Sequence, residues 1–134
     1  MNPIKFLKIL YFGDRYCTKL ITDNEKSQVE LYVNTISRIM DKSGEWNFYF
    51  DEDIDDGGII ITGVKKIIFD KSGLLPNDQI YDIYASKIDE SFYEFSIETS
   101  HVDEKGITTD LIIKVFGEGV YLLDPKHPDV IITE

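Results

Sequence analysis

An alternation of period two, running from Phe92 to Phe116, limits the fold of this chain more than any other feature. Tyr93, Phe95 and Ile97 alternate with Glu94, Ser96 and Glu98, and Ile107, Thr109, Leu111, Ile113 and Val115 alternate with mostly polar neighbours. A period of two sends each set to one face of a pleated strand, whereas a helix would scatter both sets around its circumference. Asp103-Glu104-Lys105-Gly106 separates the arms and ends in the residue that most readily takes positive φ. The two arms therefore predict an antiparallel hairpin.

The same texture extends over most of the chain. Thr18 to Thr22 and Val29 to Ile36 predict a second hairpin across Asp23-Asn24-Glu25-Lys26, with Val29, Leu31 and Val33 facing inward. Ile59-Ile60-Ile61 is a continuous apolar run. With Val64, Ile67, Ile68 and Phe69 it reads as the most buried stretch, a central strand or bulged pair bent at Gly63. Ile80 to Ala85 and Val120 to Leu123 are further strands, and the tail from Asp124, with Pro125 and Pro128, reads as an irregular arm. Only the start differs. Asn2 is an N-cap before Pro3, and Ile4, Leu7, Leu10 and Tyr11 recur at helical spacing until Gly13. The expected fold is mainly β, an antiparallel sandwich or partly open barrel of about seven strands with one short N-terminal helix.

The 134 residues suit one domain spanning 1–134, and no repeat or linker marks a second. The 25 acidic and 14 basic residues give a formal net charge of -11. A field of that sign repels nucleic acid and anionic membranes and favours a basic protein partner. Cys17 is the only cysteine, which excludes a disulfide scaffold. With no export signal and no apolar run of about 18 residues, the expected location is cytoplasmic.

The densest cluster of polar chemistry is Asp51, Glu52, Asp53, Asp55 and Asp56, around Ile54 and before Gly57. Alternating carboxylates suit a hard cation, but an EF-hand loop requires glycine sixth and glutamate twelfth, where Asp56 and Thr62 stand. A solvated loop or a contact for a basic protein fits better, and no cofactor is expected. Trp46 and Tyr49 stand just before it in Trp46-Asn47-Phe48-Tyr49-Phe50. Alternation turns Trp46, Phe48 and Phe50 to the core of one strand and leaves Tyr49 outside, or else the cluster forms an interface anchor. Asp14 and Arg15 follow the helix and either tie it to the sheet or line a polar pocket, and Arg38 is placed to pair with the acidic loop. His101, His127 and Cys17 are scattered, and no nucleophile elbow or phosphate loop occurs.

Asn2-Pro3, Phe6-Leu7, Tyr11, Gly13-Asp14-Arg15, Ile36-Ser37-Arg38, Ser43-Gly44-Glu45-Trp46-Asn47-Phe48-Tyr49, Glu52-Asp53-Ile54 and Pro76-Asn77-Asp78 together resemble a family of small uncharacterised bacterial proteins. The resemblance reaches to about Asp82 and implies no reaction. In size and acidity the chain is also similar to immunity proteins of bacterial toxin systems, an analogy only. The leading expectation is a non-enzymatic protein-binding domain, an immunity-type inhibitor that presents acidic and aromatic side chains to a basic partner. A small-molecule or divalent-metal-binding β-barrel module comes second and a small enzyme third.

Overall fold

The computed structural model describes residues 2–38 and 53–133. Helix α1 (Pro3–Lys8) begins where the Asn2 side chain accepts a hydrogen bond from the Lys5 N–H at 2.9 Å. It is shorter than the predicted helix, because Leu10–Tyr11 leave it as strand β1. The remaining strands are β2 (Cys17–Asp23), β3 (Gln28–Val33), β4 (Thr35–Arg38), β5 (Asp53–Asp55), β6 (Gly58–Thr62), β7 (Lys66–Phe69), β8 (Ile80–Asp89), β9 (Phe92–Val102), β10 (Thr108–Gly117), β11 (Gly119–Leu123) and β12 (Ile131–Ile132). Twelve strands thus replace the expected seven among the described residues. β1, β5 and β12 have only two or three residues each, too few for an alternation to show in sequence.

The strands form three antiparallel sheets, ordered β1-β4-β5, β7-β10-β9-β8 and β12-β11-β6-β3-β2. The fold is mainly β and no sheet closes into a barrel, an arrangement consistent with a sandwich. Its longest ladder is the predicted hairpin, with β9 and β10 in continuous register from Thr108↔Val102 to Gly117↔Tyr93. Phe95, Ile97, Ile113 and Val115 of the four-stranded sheet share one core with Val29, Leu31, Val33, Ile59 and Ile61 of the five-stranded sheet. Phe6 and Leu7 of α1 join the same cluster.

β6 is central, as its apolar run requires, with β3 on one side and β11 on the other. Gly63 then turns the chain with φ of 61°. The expectation that burial continues through Ile68 and Phe69 does not hold. β7 is an edge strand, and Ile68 and Phe69 are 39% and 37% exposed. The tail from Asp124 is irregular except where Ile131 and Ile132 pair with Leu123 and Leu122.

Candidate functional site

The described part of the acidic segment is tied into the protein. β5 pairs with β4, setting Asp53 opposite Ser37 and Asp55 opposite Thr35. The Ser37 hydroxyl donates to Asp53 Oδ1 at 2.6 Å and accepts from Arg15 Nη2 at 3.1 Å. Ser37 is 2% exposed, so the helix exit is joined to β5 through a shielded serine. Arg15 Cζ also lies 6.0 Å from the Tyr11 ring centroid, and Arg15 Nε is shielded with no hydrogen-bond partner among the described residues. Asp55 accepts from Thr35 Oγ1 at 3.5 Å and faces Lys126 Nζ at 4.0 Å.

Asp14 is exposed in a left-handed turn with φ of 57°. It is not part of the Arg15 chain of contacts among the described residues. Arg38 ends β4 opposite Leu10, and its side chain lies outside the described residues. Trp46, Tyr49, Asp51 and Glu52 also lie outside them. Among the described residues no group of three or more His, Cys, Asp or Glu side chains is placed to hold a metal ion.

Asp56 takes φ of 54° and lines a cleft of about 620 Å³ with Thr18, Lys19, Tyr32, Leu123, Pro125 and Pro128. Lys19 Nζ sits 4.6 Å from the centre of the Tyr32 ring. Burial, and then the hydrogen bond Tyr32 donates to Glu30 at 2.6 Å, push the Tyr32 phenol up to about 12.

A second acidic and aromatic surface was missed in sequence. It is the solvent face of β7-β10-β9-β8, opposite the core. The key step is a bulge in β8. Ile80 pairs with Thr99 but Asp82 pairs with Glu98, so one extra residue, Tyr81, stands between them. An inserted residue re-aims the side chains beside it. Ile80 is buried at 1%, while Tyr81 and Asp82, although consecutive, are both exposed. The Tyr81 hydroxyl donates to Asp110 Oδ1 on β10 at 3.2 Å. Because β9 lies between β8 and β10, the Tyr81 side chain must cross β9, lying along the sheet rather than standing off it.

Around that ring the face is uneven in charge. Asp82 and Glu98 stand directly opposite each other, where like charges repel, and neither has an ion-pair partner among the described residues. Lys114 pairs with Glu94 at 3.4 Å, and Lys71 pairs with Asp70 at 3.5 Å and donates to the Asp110 carbonyl at 2.9 Å. Tyr84 and Ile112 add exposed apolar surface at 44% and 40%. A spacing irregularity carried the signal for this site: inward Ile80 and Ile83 are three residues apart where a regular strand requires two.

A family model matches residues 1–134, the whole of the chain. The chain belongs to DUF6258, a family of unknown function. No curated protein and no solved structure matches the DUF6258 chain. The family description assigns no reaction to the DUF6258 chain. Cys17 offers little as a nucleophile. It is 2% exposed, and burial pushes its thiol up to about 11, outweighing the lowering effect of a backbone hydrogen bond at Lys19, which keeps it protonated near neutral pH. His101 Nδ1 is held against the Leu75 carbonyl at 2.7 Å.

Proposed function

We propose that this protein is a non-enzymatic binding domain that captures a basic protein on an acidic and aromatic surface. The observation that carries the reading is the couple Asp82 and Glu98, which has no ion-pair partner among the described residues, beside the exposed rings of Tyr81 and Tyr84. Exposed aromatics supply contact area, and two unoffset carboxylates supply both attraction and selectivity for a cationic partner. The net charge of -11 steers such a partner from a distance. An immunity-type inhibitor of a basic toxin is the form of this reading that uses the charge most fully. Asp53 and Asp55 contribute less, because both are hydrogen-bonded within the β4-β5 pair.

The test is affinity capture with the wild-type protein and with an Asp82→Lys, Glu98→Lys variant whose fold is checked by circular dichroism. The wild type is expected to retain basic partners that the variant releases. Partners that are acidic, or that stay bound to the variant, would sink the reading for this face.

A second reading, a small-molecule module, rests on the cleft beside Tyr32, where Lys19 and Asp56 offer opposite charges within mostly apolar walls. Its check is a thermal-shift screen of small amphoteric and aromatic compounds. A hit that survives Lys19→Ala and Asp56→Ala would lie elsewhere.

A further inference from the structure

We infer that the anchor this face accepts is an arginine side chain, its guanidinium stacked on the Tyr81 ring and bridging the carboxylates of Asp82 and Glu98. The inference rests on the proposed binding function and specifies the chemistry of the same site. Three features of the bulge carry it. First, the extra residue makes ring and carboxylate consecutive on one face, so Tyr81 and Asp82 address the same ligand group. Second, the hydroxyl contact with Asp110 at 3.2 Å lays Tyr81 across β9, and the side chain remains 50% exposed. A ring held in this way presents a stacking surface whose orientation is already fixed, so little rotamer freedom is lost on binding.

Third, Asp82 and Glu98 occupy directly paired positions on adjacent antiparallel strands, where Cβ atoms lie about 4.5–5.5 Å apart. A planar guanidinium has donors along two edges and can serve two carboxylates while its face rests on an aromatic ring. A lysine ammonium is a compact, strongly hydrated point charge that can neutralise the pair but gains far less from the ring. The anchor must also come from outside the described part of the chain. Lys114 and Lys71, on the neighbouring strands and turn, already have carboxylate partners, and Arg15 is bonded to Ser37.

The probe is a pair of synthetic peptides of equal length and charge, one with arginine and one with lysine alternating with glycine, titrated into the intact protein and followed by NMR at low salt. The arginine peptide is expected to bind about fivefold more tightly and to shift the Tyr81 ring resonances. Tyr81→Phe keeps the ring but frees it from Asp110, and should lose part of that preference. Tyr81→Ala should abolish it, and Asp82→Asn with Glu98→Gln should weaken both peptides. Equal binding of the two peptides at this face would overturn the arginine anchor and leave the acidic surface standing. No shift with either peptide, or shifts that survive the carboxamide variant, would overturn both. Circular dichroism and melting temperature of each variant separate a lost site from a lost fold.

Discussion

A buried thiol reports on the fold through its acidity. Cys17 is 2% exposed, and burial raises its thiol from 9.0 to about 11. Between those values the unfolded chain gives up this proton and the folded chain keeps it. Stability contributed by the neutral thiol is therefore complete below pH 9 and declines as pH rises toward about 11. The loss is on the order of 2–3 kcal/mol. Urea unfolding of the wild type and of Cys17→Ala at pH 8 and pH 10.5 checks it, since the other titrating groups are common to both proteins. The gap between the two proteins should shrink at the higher pH, and a gap independent of pH would mean that the thiolate is solvated in the fold. The same burial predicts that a thiol reagent reacts with Cys17 only after unfolding.

Backbone comes close to backbone where β10 passes into β11. A Cβ added at Gly117 would lie 2.8 Å from the Thr62 carbonyl oxygen and 3.0 Å from an Ile61 methyl. The first neighbour is backbone, held by its hydrogen bond from the Glu118 N–H at 2.8 Å, so it has little freedom to withdraw. Gly117→Ala is expected to cost about 2–3 kcal/mol. Urea titration should show a lower midpoint with an unchanged slope. This crossover shows how far elements were legible. Gly117-Glu118-Gly119 reads as a turn and Val120 to Leu123 as a strand; the strand is present, but the turn is only a bend at Glu118, since Gly117 ends β10 and Gly119 begins β11. The β9-β10 and β2-β3 hairpins were equally readable, because strands that are neighbours in sequence carry their pairing in a local alternation. Which strand lies beside which is a different matter. Ile67 to Phe69 are as apolar as Ile59 to Ile61, yet one run is an edge and the other a centre, since partners distant in sequence decide the position. The β8 bulge lay between these cases. The Ile80 to Ile83 interval was visible, but only pairing with β9 shows that it sets Tyr81 beside Asp82 on the solvent face.

Across the whole molecule a net charge of -11 sets stability against recognition. Self-repulsion among carboxylates destabilises the compact state, and the same field attracts a cationic partner. Raising sodium chloride from about 10 mM to about 0.15 M shortens the screening length from about 30 Å to about 8 Å. The melting temperature should rise while affinity for a basic peptide falls. Asp82 and Glu98 make the opposition local, since like charges placed opposite each other across two strands cost about 0.2–1 kcal/mol. If the pair persists for binding, Asp82→Asn with Glu98→Gln should yield a protein that is more stable than the wild type at low salt and binds less. The advantage should fade as salt screens the repulsion in the wild type. Calorimetry of both proteins at the two salt concentrations measures this directly. A variant less stable than the wild type would mean that the carboxylates are satisfied within the fold, and the case for a cation-binding face would lose its physical basis.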